Sequence, residues 1–333
     1  MTTWDDETDV IVAGTGGGLA GAYTAAREGL SVMVVEASDQ FGGTTAYSGG
    51  GGMWFPCNPV LRRAGCDDTL DAAFAYFHAA VGDRTPVELQ RAYVYGGTEL
   101  IAYLEEDEHF EFDVLPWPDY YGRLPHARLD GMRHTVMKPL AAERLGEMAQ
   151  QIRGPLDRER LGAEAPNQII GGRALVGRFL SAITSYPHAS LHLNSPLVEL
   201  VTSKDGGVGA VVEQDGRRRR IRTRAGVLLA AGGFENNPAL RQRFGVPGDA
   251  RDTMGAPGNL GLALEAALAA GAATDLMDQA WSPGLTHPDR RSAFSLWFTG
   301  GIFVNQDGKR FVNESGPTTG SARPSSTRLP AAQ

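Results

Sequence analysis

Residues 1–52 constrain this chain more than any other stretch. They run as an apolar strand, Val10-Ile11-Val12-Ala13, then a turn, Gly14-Thr15-Gly16-Gly17-Gly18-Leu19-Ala20-Gly21. A small-residue helix from Ala22 to Gly29 follows, then a second strand, Ser31-Val32-Met33-Val34-Val35, that ends in Glu36. Gly42-Gly43-Thr44-Thr45-Ala46-Tyr47-Ser48-Gly49-Gly50-Gly51-Gly52 closes the segment. That order is a β-α-β unit for holding a dinucleotide. Glycines let the backbone turn tightly and approach a pyrophosphate, while the helix turns its free N–H groups and positive dipole end toward the anion. Glu36, at the tip of the second strand, stands where an acid accepts ribose hydroxyls. Gly14 and Gly16 are expected to make the turn, which leaves Leu19 at the third glycine position; Gly16 to Gly21 also fits, two residues further on.

The second glycine loop points to FAD as the dinucleotide. Gly42, Gly43, Thr44, Thr45, Ser48 and Gly49 would let a bulky group pass close to the backbone and offer it hydroxyl donors. NAD has no need of such a loop, whereas FAD carries a second long half to be cradled. Gly226-Val227-Leu228-Leu229-Ala230 reads as another buried strand, returning to lay Ala231, Gly232 and Gly233 near the cofactor. Gly17 and Gly18 join Gly14, Gly16 and Glu36 as candidate contacts.

With 333 residues the chain has room for one to three domains, and its net charge of −8 argues against a general nucleic-acid surface. Cys57 and Cys66 make no disulfide framework and show no metal spacing, so cytosolic thiols are expected. The start, Trp4-Asp5-Asp6-Glu7, is acidic and has no apolar signal core, and no apolar run reaches the ~18 residues of a membrane span. A soluble, cytoplasmic protein with no integral membrane segment is expected. His188 and His192 lie in a stretch that alternates as a strand does, so no metal site is expected there.

Residues 68–105 have helical periodicity, and 109–170, richer in proline and aromatics, read as an excursion over the active site. A helix is expected from Ala174 to Ile183, a strand at Leu191–Leu193, and a hairpin of Leu197–Val201 with Val208–Gln214. Asp215-Gly216 starts the next turn. The charge run Arg217 to Arg220 reads as a solvated hairpin edge.

At this point the sequence resembles the FAD-dependent fumarate reductase/succinate dehydrogenase-type flavoproteins, and within them the 3-ketosteroid Δ1-dehydrogenases (3-oxosteroid 1-dehydrogenases). The resemblance covers residues 4–315. It is carried by Gly42 to Gly49, Pro118-Asp119-Tyr120-Tyr121, Ile170-Gly171-Gly172-Arg173-Ala174-Leu175, Ala230 to Glu235, Asp278-Gln279-Ala280-Trp281 and Arg310-Phe311-Val312-Asn313-Glu314-Ser315. The glycine loops mark the superfamily; the Asp-Tyr-Tyr and Asp-Gln-Ala-Trp segments point to the steroid branch. The resemblance implies an α/β fold: a Rossmann-like FAD domain with a parallel sheet over 1–274, then the start of an α+β substrate domain over 275–315.

It also implies the chemistry. Desaturation beside a ketone needs a base for one proton, a hydride acceptor and donors that polarise the carbonyl. FAD accepts the hydride, and tyrosines manage the proton; Tyr120 matches the first of them and is expected to support proton abstraction. The partners expected are a 3-ketosteroid and an electron acceptor left unassigned. FAD is expected to be non-covalent, since residues 36–56 contain no histidine to attach it. The apolar, aromatic segment Leu115 to Tyr121 suits a flat hydrophobic substrate, whereas dicarboxylate reducers grip their substrates with arginines and histidines. Another dehydrogenase or ene-reductase of the superfamily is the alternative, as is a flavin-binding remnant without turnover.

The chain departs from the pattern in two places. Leu262 stands where the stretch resembling Gly258 to Leu262 usually has an acid. After Ser315 the family continues with a Pro-Tyr pair carrying its main basic tyrosine, and here Pro317 is followed by Thr318. One set of synonymous codons for Gly316 to Ser325, read two bases later, spells Pro-Tyr-Asp-Arg-Phe-Gly-Lys-Ala-Ile, so 316–333 are expected to be a frameshifted tail. On that expectation the chain as it stands has no steroid turnover.

Overall fold

The computed structural model describes residues 3–162, 167–202, 208–246, 248–280, 301–302, 304–305 and 307–310. β1 (Asp6–Ala13) alternates, sending Val12 to one face of the sheet and Ile11 and Ala13 to the other. α1 (Gly18–Arg27) lies on the Val12 face, with Leu19, Ala22, Tyr23 and Ala26 buried against it. The helix stops where Gly29 takes a φ of 83° and the Leu30 N–H reaches back 3.0 Å to the Ala25 carbonyl. β2 (Val32–Val35) is buried throughout and pairs with β1 in parallel, as the opening β-α-β pattern requires.

α2 (Gly43–Tyr47) and β3 (Met53–Trp54) form from the second glycine loop, and α3 (Pro59–Arg63), α4 (Leu70–Val81) and α5 (Val87–Glu105) follow. Asn58 and Thr69 start α3 and α4 by accepting the Leu61 and Ala72 N–H groups. The expected excursion folds into short pieces: β4 (Phe112–Leu115), β5 (His134–Met137), β6 (Leu140–Ala141), α6 (Met148–Gln151), α7 (Leu156–Leu161) and β7 (Gln168–Ile169). β3, β5 and β4 make a three-stranded antiparallel sheet, and β6 pairs with β7. The Phe41 backbone bonds Gln151 O and Arg153 N at 2.8 and 2.9 Å, which fastens the excursion beside Gly42.

α8 (Gly171–Thr184) begins before the expected Ala174. A Cβ on Gly172 would lie 1.8 Å from the Thr45 carbonyl oxygen, so glycine here permits helix packing where the sequence suggests a break. β8 (Ala189–His192), β9 (Leu197–Thr202), β10 (Val208–Gln214) and β11 (Arg217–Leu229) complete a six-stranded sheet of order β8-β2-β1-β11-β10-β9. The expected parallel sheet is therefore mixed: β8, β2, β1 and β11 are parallel, while β10 and β9 run antiparallel, since the chain between β9, β10 and β11 is too short for a crossover. α9 (Pro238–Phe244) and α10 (Leu262–Ala269) follow, with Ala266 of α10 in the cluster on the Ile11 face.

One expectation about β11 needs correction, that of a buried strand from Gly226. Arg217 to Arg220 lie in the hairpin with β10, before the register with β1 begins at Ile221, and two of them are paired, Arg218 with Glu199 at 3.0 Å and Arg219 with Asp6 at 2.9 Å. Gly226 to Leu229 are the second half of that same strand, in parallel register with Val10 to Ala13, and Leu228 is 40% exposed instead of buried. Among the described residues no helix is long and apolar enough to cross a membrane. Trp281, Phe311 to Ser315, Pro317, Thr318 and the expected tail lie outside the described residues.

The β1–β11 pairing makes Gly14 the tightest point of the turn. Its φ is 100°, and an added Cβ would sit 2.3 Å from the Ala230 carbonyl oxygen and 2.7 Å from Ala231 Cα. Gly14→Ala is expected to lose about 2 kcal/mol or more in urea unfolding without FAD. Gly17→Ala, whose Cβ meets nothing within 4 Å, should stay within about 0.5 kcal/mol of the parent. Equal effects of the two would show that this contact does not hold the sheet.

Candidate cofactor cleft and active site

One cleft opens where β1, β2 and β11 end together. Gly14, Gly16, Gly17, Glu36, Gly42, Gly43, Thr44, Thr45, Ala231 and Gly232 all line it, so ten of the residues singled out from sequence converge. The N-terminus of α1 at this cleft has no capping side chain and no acid in its first turn, which leaves its N–H groups for an anion. Gly17 and Gly43 are open on the side where a Cβ would project.

Glu36 is buried, and both its oxygens are bound. Oε2 accepts the Thr15 hydroxyl at 2.5 Å, and Oε1 accepts the Ser38 N–H at 3.0 Å and hydroxyl at 2.9 Å. Oε2 keeps a lone pair for a ribose hydroxyl. Thr15 Oγ1 in turn accepts the Gly42 N–H at 2.8 Å, so a relay from Gly42 through Thr15 to Glu36 joins the two glycine loops. Thr44 is held from the other side, its hydroxyl accepting the Ala256 N–H and the Asn259 Nδ2–H, both at 2.9 Å. Asn259 also donates to Glu235 at 2.6 Å.

Four expected contacts sit elsewhere. Gly18 faces the sheet, where a Cβ would meet Val12 at 2.9 Å; it does the helix–strand packing that Leu19 cannot. The Ser48 hydroxyl accepts the Gly51 N–H at 3.1 Å, and neither Ser48, Gly49 nor Gly233 lines the cleft. Conversely, Thr15, Ser38, Pro196, Leu197, Ala256 and Asn259 line it without having been expected. Thr15 was discoverable as the hydroxyl between two fingerprint glycines and Ser38 by its place two residues after Glu36; Pro196, Leu197, Ala256 and Asn259 come from far along the chain. Leu262, the departure noted at the acid position, also lines the cleft.

Tyr120 lies on the loop after β4, 40% exposed, and is not among the cleft-lining residues. Burial of its ring raises the phenol above its ordinary value, and a hydrogen bond with the Trp117 side chain pulls the other way. Beneath this loop Trp54, Tyr76, Phe77 and Tyr93 form an aromatic group, with Phe77 and Tyr93 stacked at 5.2 Å. His134, at the start of β5, is buried beside it with no partner for Nδ1 among the described residues.

The chain's residues 9–323 match the model of the FAD binding domain family. The chain belongs to that family. FAD is thus the cofactor, and the uncapped α1 terminus, the open glycines and the spare Glu36 lone pair fit it. The 3-oxosteroid 1-dehydrogenase of Rhodococcus opacus is 38% identical over 260 residues, which cover 78% of this chain and 50% of that protein. The 4-oxocyclohexanecarboxylate 2-dehydrogenase of Sinomonas cyclohexanicum is 35% identical over 345 residues, covering 92% of this chain and 59% of that one. A solved 3-ketosteroid Δ1-dehydrogenase from Sterolibacterium denitrificans, in complex with 1,4-androstadiene-3,17-dione, superimposes with a TM-score of 0.80 at 27% identity, covering 94% of this chain and 64% of that one. The chain spans half to three-fifths of the length of these curated relatives.

Two outcomes follow from the site. Glu36→Ala is expected to weaken FAD binding by about 1–3 kcal/mol, and Thr15→Val to weaken it too by cutting the relay, as read by flavin fluorescence titration. All flavin should leave with the supernatant on denaturation; colour held by the precipitated chain would contradict non-covalent binding. For His134, burial holds the imidazole below its ordinary value, against the pull of Asp119 and of a hydrogen bond to the Trp117 backbone. Its neutral form belongs to the fold, so its contribution is complete above about pH 6.5 and declines as pH falls below it. Between about pH 8 and pH 5 the parent's melting temperature should fall further than that of His134→Gln; parallel curves would refute this.

Proposed function

We propose that this chain holds FAD for an enzyme that removes the C1 and C2 hydrogens of a 3-ketosteroid, one as a proton and one as a hydride, and leaves a ring double bond conjugated with the ketone. The observation that carries the reading is the alignment with ketone dehydrogenases over most of the chain. FAD supplies the hydride acceptor when bound. Gly14, Gly16 and Gly17 give the pyrophosphate a close backbone approach, Glu36 takes the ribose, and Gly42 to Thr45 border the second half of the cofactor. Tyr120 supports loss of the proton by hydrogen bonding to the basic group or relaying its proton: burial of its ring raises the phenol above its ordinary value, against the pull of the Trp117 hydrogen bond, and keeps it a donor near neutral pH. The aromatic group below it offers an apolar wall to a flat ring system. An external acceptor takes the two electrons afterwards.

The chain as it stands is expected to stay silent; with the family's Pro-Tyr continuation restored after Ser315 and FAD loaded, it should change its visible flavin absorption when a 3-ketosteroid saturated between C1 and C2 is added without oxygen. Tyr120→Phe should leave the flavin spectrum intact and cut that response at least about tenfold. A response to 4-oxocyclohexanecarboxylate but not to the steroid would move the substrate to small cyclic oxo-acids. Silence toward both would sink the reading.

A further inference from the structure

One chain neighbour of Tyr120 is bonded to a buried cation, and the other to a tyrosine whose ring lies beside that cation. The Asp119 side chain is fully buried. Its Oδ1 accepts the Trp54 indole N–H at 2.8 Å; its Oδ2 accepts Arg133 Nη1 at 2.6 Å and the Arg128 backbone N–H at 2.8 Å. The Asp119 N–H donates to the Arg128 carbonyl at 2.9 Å. Arg133 gives its remaining nitrogens to Asp68, Nε at 2.7 Å and Nη2 at 3.2 Å. Its guanidinium carbon lies 5.2 Å from the Tyr76 ring centre and 5.8 Å from that of Trp54. On the other side of Tyr120, the Tyr121 N–H donates to the Tyr76 hydroxyl at 3.2 Å.

Stability alone does not call for this arrangement. Taking two carboxylates and a guanidinium out of water costs several kcal/mol per ion, and apolar side chains of similar volume would stabilise as well or better. What ions offer in exchange is direction, since every Asp119 and Arg133 contact is satisfied in one geometry only. That geometry fixes the backbone immediately before and after a tyrosine whose own ring is partly exposed.

We propose that Asp119 is a positioning residue: through Arg133 and Trp54 it holds the 117–121 backbone so that the Tyr120 hydroxyl is presented to substrate in one orientation. The inference rests on the ketone-dehydrogenase reading for the purpose of the orientation, but not for its existence. A tyrosine on a free loop would sample many rotamers, and misplacement by about 1 Å costs as much as 10²-fold in rate. Among the described residues, Asp119 is joined to Tyr120 only through the backbone and this clamp, so it acts on the chemistry at second hand.

The test uses the chain with the family's Pro-Tyr continuation restored after Ser315, grown with 3-fluorotyrosine and loaded with FAD, Tyr120 being assigned by the resonance lost in Tyr120→Phe. In Asp119→Asn the Tyr120 ¹⁹F resonance should move toward that of the free amino acid. The steroid-induced flavin change should fall at least about tenfold, with FAD affinity unchanged. If Asp119→Asn does not fold, because Arg133 is left underpaired, Trp54→Phe decides by the same readouts, since it removes one donor and no charge. An unmoved resonance overturns the proposal, and so does a moved one with an undiminished steroid response. A parent that ignores every steroid instead sinks the dehydrogenase reading, while the resonance still decides the clamp.

Discussion

The cofactor cleft depends on how closely the turn after β1 comes to the end of β11. Gly14 leaves no Cβ between them, and the Ala230 N–H bonds the Ala13 carbonyl at 2.8 Å. That one approach brings residues more than two hundred apart in sequence to the same point. It also aligns the strand ends, so that the N-terminus of α1, Glu36 and the tip of β11 share an opening. The carboxyl ends of parallel strands are where such folds place a nucleotide, and the antiparallel β9 and β10 extend the sheet away from it.

Around that approach, polar relays do what apolar packing cannot. Core residues such as Val12, Val34, Leu180 and Ile183 bring α1 and α8 together, but hydrophobic contact is indifferent to small rotations. The Gly42–Thr15–Glu36 chain and the Ala256–Thr44–Asn259 pair are directional, and each spans two glycine-rich segments that have little side chain with which to pack. Buried donors and acceptors left unpaired cost about 1–3 kcal/mol each, so these bonds select one arrangement of otherwise permissive loops. The Asp119–Arg133–Asp68 group applies the same physics to the excursion, and the Phe41 backbone bonds tie the excursion to the cofactor loop.

Much of this was legible because it is local. The strand–glycine–helix–strand order, the acid after β2 and the period of α4 and α5 are each written within a few residues, and the structure has them in that order, although α1 starts at Gly18, ahead of the expected Ala22. Asp215-Gly216 was legible as a turn for the same reason, with φ values of 50° and 71°. The start of α8 was not. Gly171 and Gly172 look like breakers until the Ser48–Thr45 backbone is seen to occupy the space where their side chains would be. Likewise, nothing in Pro196, Ala256 or Asn259 announces a cleft residue, because each reaches it through a loop whose path depends on sheet order.

The sequence by itself determined the nucleotide-binding unit, its glycine turn, its acid and the aromatic segment that holds Tyr120, since these follow from backbone sterics and side-chain periodicity. Only the tertiary structure decided which hydroxyls and amides complete the cleft and that the long strand from Arg217 to Leu229 lies inside a mixed sheet. It alone placed Asp119 against Arg133. The physical reason is range: torsional preference and hydrophobic period act between near neighbours, whereas a buried hydrogen bond or ion pair acts between groups that chain order does not bring together.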